Sequence, residues 1–246
     1  MTRPRSVADW LAWQQALNPR PVALGLERVH AVLDRLAVPP PAGRVVTVGG
    51  TNGKGSTITL IHDVLRAAGR TPGLYTSPHL VHYRERIVID GAPVDDVRLL
   101  EAFERVESAR RDVPLTYFEF GTLAALACFA AARCDTWLLE VGLGGRLDAV
   151  NALDADVALV TTIGLDHQEW LGNTVEAIAA EKAGIFRGGR PALFGDIPVP
   201  AAIRVRARQI GARLGVLRED FDWTRRAGGE WTWQGHDGTR LHGLAA

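Results

Sequence analysis

The sequence is poor in several things a chain of 246 residues usually carries. It has one Met and two Cys, Cys128 and Cys134. Two thiols inside an Ala-rich helical pattern provide neither a disulfide framework nor metal-ligand spacing, and they read as core residues of a reduced, cytoplasmic protein. No apolar run approaches the roughly 18 residues a membrane span needs. The opening residues, MTRPRSVADW, carry charge without an apolar segment, so no signal peptide is read. Net charge is also missing: 28 Lys+Arg balance 28 Asp+Glu, whereas a nucleic-acid binder normally shows a basic excess. Aromatic residues make up only 7% of the chain.

The most informative scarcity is lysine. Only Lys54 and Lys182 are Lys; the other 26 basic residues are Arg. Where Arg is the default surface cation, a retained Lys marks chemistry a guanidinium cannot perform. Lysine is a compact point charge and, when neutral, a nucleophilic amine.

The chain alternates apolar β-branched runs with helical patterns. Strands are read at Arg44–Val48, Gly73–Thr76, Ile87–Ile89, Thr136–Val141, Val157–Ile163 and Pro191–Phe194. Helices are read near Leu24–Leu36, Ser56–Ala68, Asp95–Arg111, Phe118–Arg133, Val175–Ile185 and Ala201–Arg213. Runs such as Trp137-Leu138-Leu139 are apolar throughout, as in strands buried on both faces of a parallel sheet. The expectation is an α/β fold with a mostly parallel sheet flanked by helices. Arg86–Val94 reads as a β-excursion turning at Asp90-Gly91, and Pro39-Pro40-Pro41 as a stiff connector into the first sheet strand. From Phe221 on, three Trp and Gly228-Gly229 suggest a hairpin.

The strongest local signal runs from Arg44 to Thr57, where an apolar strand enters Gly49-Gly50-Thr51-Asn52-Gly53-Lys54-Gly55-Ser56 and a helix follows. Backbone N–H groups of such a turn cradle phosphate oxygens, and Lys54 reaches the terminal phosphates. The common G-x-x-x-x-G-K-[ST] spacing is not met, because Val48 holds the first Gly place and Gly55 follows the Lys. Gly55 has no hydroxyl for Mg²⁺, so a metal ligand must come from elsewhere. Glu140 ends an apolar strand and puts a carboxylate at the C-terminal edge of the sheet, where ligands of open α/β sheets bind. The next strand leads to Gly164-Leu165-Asp166-His167, with polar groups at the same edge. Together these point to a Mg²⁺–nucleotide site. Lys182 lies on a helix beside Glu181, which leaves open a plain helix-surface pair or a functional amine.

Thr51–Ser56, Tyr75–Leu80, Phe118-Glu119-Phe120, Leu139–Asp148, Leu165-Asp166-His167 and Ala180–Ile185 occur in that order. Between about Leu17 and Leu244 the chain resembles folylpolyglutamate synthase/dihydrofolate synthase, of the Mur ligase superfamily. The resemblance implies a P-loop-type central ATP-binding domain. It also implies ATP-dependent joining of L-glutamate to dihydropteroate or to the tail of a reduced folate through an acyl phosphate. Thr51, Asn52, Gly53, Lys54, Gly55 and Ser56 would then hold ATP. Ser77 and Glu140 would ligate one Mg²⁺, and His167 a second. Lys182 matches a lysine that is carbamylated in the family, so Lys54, Lys182 and His167 are the catalytic candidates. Thr116, Tyr117, Phe118, Glu119, Leu147, Asp148 and Ala149 match segments that contact the pterin. The family also implies a monomer acting on small molecules.

Departures from the family pattern are visible. Val22-Ala23-Leu24-Gly25-Leu26 lacks an Asp that the family places there, and Asn151 follows Val150 where Thr is common. Residues 1–246 correspond to the family's N-terminal and central part, and its smaller C-terminal domain, which closes over nucleotide and helps bind glutamate, is not among them. A nucleotide- or pterin-binding remnant, or a Mur-type ligase for another acid, stand as alternatives.

Overall fold

The computed structural model describes residues 4–18, 20, 22–225 and 228–244. Helices α1 (Val7–Leu17) and α2 (Glu27–Leu36) precede strand β1 (Arg44–Gly49) and helix α3 (Lys54–Ala67). Strand β2 (Pro72–Tyr75), a 3₁₀ turn at Tyr83–Arg86, β3 (Ile87–Ile89) and β4 (Ala92–Pro93) follow. Then come α4 (Asp96–Arg110), α5 (Tyr117–Ala131), β5 (Thr136–Glu140), β6 (Val157–Val160), α6 (Gln168–Leu171) and α7 (Val175–Lys182). The chain continues through β7 (Pro191–Phe194), α8 (Ala201–Ile210) and β8 (Arg213–Val216), then β9 (Phe221–Arg225), β10 (Trp231–Gly235) and β11 (Arg240–Leu244).

Strands β1 to β8 form one sheet in the order β4-β3-β2-β5-β1-β6-β7-β8. It is parallel from β2 to β8, and the short β3 and β4 add antiparallel at one edge. Strand β1 is central, paired with β5 on one side and β6 on the other. The chain leaves β1 at the centre of the C-terminal edge, where crossovers diverge and a crevice opens.

Helices cover both faces. On one, Ile58 of α3 packs on Val48, Leu74 and Leu138. On the other, α5 is apolar nearly all round and buried over most of its length, as its all-apolar pattern requires. It packs with α4 and α1 through Trp10, Phe103 and Phe120, whose rings lie 5.8–6.2 Å apart. Both thiols are buried and free, and burial pushes them up to about 12 (Cys128) and about 11 (Cys134).

The alternation of strands and helices agrees with the sequence reading, and the differences have local causes. Leu24–Leu26 stay outside α2, with Gly25 at φ +144 blocking an earlier start. Helix α8 stops at Ile210 because Gly211 takes the left-handed C-cap conformation, and Arg213 begins strand β8 instead. Helix α1, which weak periodicity hid, is fixed by a Ser6–Asp9 capping box and by burial of Trp10. The tail forms a three-stranded antiparallel sheet, one strand more than a hairpin.

One close approach makes the packing testable. A Cβ on Gly73 of β2 would lie 2.4–2.7 Å from the Phe129 ring of α5. Gly73→Ala is therefore expected to lower unfolding free energy by about 1–3 kcal/mol in urea titrations. An unchanged midpoint would contradict this packing of α5 on the sheet.

Candidate active site

The turn after β1 is held by the neighbouring β6 segment. Thr51 N donates to Thr162 O (2.8 Å), and Thr161 Oγ1 donates to Asn52 O (2.6 Å). Asn52 N donates to Thr162 Oγ1 (3.0 Å), and Thr51 Oγ1 accepts from Gly164 N (3.0 Å). Gly50 lies at φ +146, where a Cβ would sit 1.9 Å from Thr161 Oγ1, so only glycine fits. Gly53 at φ +80 caps α3, which starts at Lys54 itself, two residues before the sequence expectation. The N-terminal amides of a 14-residue helix thus face the crevice.

Both lysines of the chain converge on this turn. Lys54 Nζ donates to the carbonyls of Gly50 (3.0 Å) and Thr51 (3.2 Å). Lys182 Nζ arrives from the last turn of α7 and donates to the same Gly50 carbonyl (3.0 Å). Lys182 is only 4% exposed. Its neighbour Glu181 pairs with Arg146 (2.8 Å), so a helix-surface Lys182–Glu181 pair is not what forms. Burial, then the nearby Lys54 cation, push the Lys182 ammonium down to about 8, partly offset by Asp166 and Asp148. The end of α7 is fixed against the loop after β5 by Arg146 N donating to Glu181 O (2.9 Å) and Asn151 Nδ2 donating to Arg146 O (2.9 Å).

Glu140 is buried at the end of β5. Its Oε2 accepts from Ser77 N (2.9 Å), and Oε1 lies against the first turn of α3, 3.6 Å from where a Cβ on Gly55 would be. Burial raises its pKa; the Ser77 amide, Lys54 and Arg86 oppose that. A buried carboxylate with no ion-pair partner among the described residues, beside the Ser77 residue and a phosphate-type turn, offers the hard oxygen donors that Mg²⁺ takes. Among the described residues no three His, Cys, Asp or Glu side chains gather as a metal cage. An ion here would have few protein ligands, the usual situation for Mg²⁺ shared with phosphates. His167 is half-exposed at φ +48, with Nε2 3.6 Å from Asp166 Oδ2.

Beside the turn lies a cleft of about 410 Å³. Lys54, Ser77 and His167 line it, together with Thr116, Tyr117, Phe118, Glu119, Leu147, Asp148 and Ala149. The structure therefore joins, in one cavity, every residue named from sequence as a substrate contact and three named for phosphate or metal. Asp148 caps a 3₁₀ turn and accepts from Val150 N (3.1 Å) and Leu143 N (2.8 Å). Complete burial nevertheless pushes its carboxyl up to about 7. Glu119 and Thr116 form a capping box at the start of α5.

Sequence reasoning missed Arg86, which lines the cleft beside the 22–24 segment. Arg86 is buried, donates to His79 Nδ1 (2.9 Å) and lies over the rings of Tyr83 and Tyr117 at 5.4 and 5.7 Å. Its signal was available: an Arg immediately before the apolar run Ile87-Val88-Ile89.

A glycine-rich turn at the C-terminal edge of a parallel sheet, with cations on the turn and a buried carboxylate beside it, defines the phosphate-loop α/β class. Within that class the chain belongs to the Mur ligase family, whose middle domain matches residues 48–198. It is 49% identical to the dihydrofolate synthase/folylpolyglutamate synthase of Escherichia coli K12 over 217 residues, which are 88% of this chain and 51% of that protein. The Haemophilus influenzae protein of the same name is 42% identical over 93% of this chain and 52% of its own length. The structure of E. coli FolC in complex with DHPP and ADP superposes with a TM-score of 0.95 at 45% identity, covering 98% of this chain and 58% of that one. A Yersinia pestis bifunctional folylpolyglutamate synthase/dihydrofolate synthase complexed with AMPPNP and Mn ion gives 0.93 at 44% identity, covering 100% and 60%. The chain spans about half the length of the curated relatives it matches.

Asp148 gives the site a pH signature. The unfolded carboxyl releases its proton near 3.8 and the folded one near 7, so between those values the native state binds more protons and stability falls as pH rises. Relative to Asp148→Asn, the wild type is expected to lose about 2 kcal/mol of unfolding free energy between pH 5 and pH 7.5. Urea titrations at both pH values check this. An offset that does not change with pH would contradict the buried carboxyl.

Proposed function

We propose that this chain is the N-terminal and central, ATP-binding part of a ligase that joins L-glutamate to dihydropteroate or to the tail of a reduced folate. The observation that carries the reading is the convergence of Lys54 and Lys182 on one carbonyl of a phosphate-type turn, beside a cleft of acid-substrate size. The names of its relatives support the substrate class. On this reading the protein is a cytoplasmic monomer, and no helix among the described residues is long and apolar enough to cross a membrane.

The chemistry follows from placement. The pteroate or folate lies in the cleft between residues 116–119 and 147–149, with its carboxylate toward Lys54. The ATP phosphates take the place at residues 51–56 that faces the α3 N-terminus. Lys54 then exchanges backbone carbonyls for phosphate oxygens. The substrate carboxylate attacks the γ-phosphorus, the bond to the bridging oxygen breaks and ADP leaves, giving an acyl phosphate. The glutamate amine attacks the acyl carbon, phosphate departs and the amine gives up a proton. Both steps move negative charge between oxygens, so fixed cations and orientation supply most of the catalysis. Glu140 and the Ser77 hydroxyl would hold one Mg²⁺ and His167 a second, and these ions supply further neutralisation of phosphate charge when bound.

Lys182 is proposed to be carbamylated. An ammonium that loses its proton near pH 8 provides neutral amine at physiological pH. The neutral amine adds to CO₂ and releases one proton, so that, together with the proton the ammonium has already lost, a cation that repels Lys54 becomes an anion that attracts it. A crystal grown with bicarbonate should show the adduct; an unmodified Lys182 turned away from the turn would refute it.

Phosphate release measured with ATP, Mg²⁺, glutamate and dihydropteroate or tetrahydrofolate tests the reading. Release that depends on the pteroate or folate is expected, reduced about 100-fold or more by Lys54→Ala and by Glu140→Ala. Near-normal release by either variant would contradict its role. ATP binding without release would place the activation step beyond this chain's own residues.

A further inference from the structure

Glu119 reads from sequence as a substrate contact, yet its carboxylate is already engaged. Arg28 Nε donates to Glu119 Oε1 (3.0 Å) and Oε2 (3.2 Å), and Arg28 Nη2 donates to Oε1 (2.7 Å). Glu119 Oε2 also accepts from Thr116 N (2.7 Å). The Glu119 side chain is 4% exposed and that of Arg28 26%. Nothing of this carboxylate is left free to bind a second strong donor.

The same guanidinium reaches the opposite way, where Arg28 Nη2 donates to the carbonyl of Ala23 (2.5 Å). Two residues on, Gly25 N donates to Leu147 O (3.3 Å). Segments 22–24, 116–119 and 147–149 are three walls of the cleft, whereas Arg28 is not among the residues lining it. One side chain therefore ties two walls directly, and the adjoining peptide ties the third.

We propose that Arg28 is a positioning residue for the acid substrate: its fork to Glu119 and its bond to Ala23 hold the 22–24 segment at the distance from α5 that the substrate ring system requires. The inference rests on the proposed function for the identity of that substrate, but not for the existence of the latch. The planar guanidinium makes all four bonds at once. An ammonium offers no such fork, so lysine restores charge without the geometry. The nucleotide turn shares no hydrogen bond with Arg28, so the effect falls on one substrate only.

The test compares wild type, Arg28→Met and Arg28→Lys by amide hydrogen exchange and by calorimetry with dihydropteroate and with ATP. In Arg28→Met, exchange is expected to rise at least tenfold at residues 22–26 and 114–119 while β1 and β5 stay protected. The Kd for dihydropteroate should weaken at least tenfold and that for ATP by less than twofold, with Arg28→Lys between Met and wild type. Faster exchange throughout the chain in both variants would mean a general stability role and overturn the proposal. Unchanged dihydropteroate affinity with loosened walls would overturn it too. Wild type that binds no dihydropteroate would refute the substrate reading, and the exchange contrast alone would then uphold or overturn the latch.

Discussion

The carbonyl oxygen of Gly50 accepts hydrogen bonds from the Nζ atoms of both lysines, one from the first turn of α3 and one from the last turn of α7. Two ammonium groups on one neutral acceptor, one of them buried, are poorly neutralised. Burial first, and then the nearby Lys54 cation, make the Lys182 proton easier to lose. The turn can present this arrangement only because Gly50 passes within contact of Thr161, which anchors the Asn52 carbonyl in turn. The same backbone constraint therefore shapes the phosphate-type turn and concentrates positive charge on it. An anion at the turn would relieve the repulsion, which is the physical argument for the proposed phosphate site.

The surrounding packing fixes how the cleft meets this charge. Strand β5 carries Glu140 to the sheet edge, and the loop that follows folds back on α7 through Arg146 and Asn151. That fold-back places Asp148 in the cleft wall and Lys182 under the turn at once. The buried acidic carboxyls Glu140 and Asp148 are both held above their ordinary range by burial. Burial holds Lys182 below its own ordinary range, so all three shifts favour the neutral form of the group. Groups tuned in this way can exchange protons or take up a cation at small cost.

Much of this was legible in the chain order of residues. Scarcity of lysine singled out Lys54 and Lys182 before any contact was known, and a strand ending in Glu140 marked the sheet edge. Local capping patterns, such as Thr116 with Glu119, also appear in sequence. Contacts between distant segments do not. Arg28 and Glu119 are 91 residues apart, and nothing in either neighbourhood announces the pairing. Helix α2 was expected to begin near Leu24, because apolar spacing cannot register that Gly25 adopts a positive φ. Helix α8 was expected to run on to Arg213, the first residue of strand β8, for the same reason, since a left-handed Gly211 ends the helix without disturbing the pattern.

A chain with two lysines allows a direct test of the central claim by NMR. Selective labelling of lysine side chains with ¹³C and ¹⁵N at the ε position gives one signal for Lys54 and one for Lys182, assigned by Lys54→Arg and Lys182→Arg. Titrated in the absence of CO₂, Lys182 is expected to show a midpoint near pH 8, and addition of ATP with Mg²⁺ is expected to shift both signals. A Lys182 midpoint at the ordinary lysine value near 10.4, with neither signal responding to ATP, would contradict the shared carbonyl as the organising feature of the site.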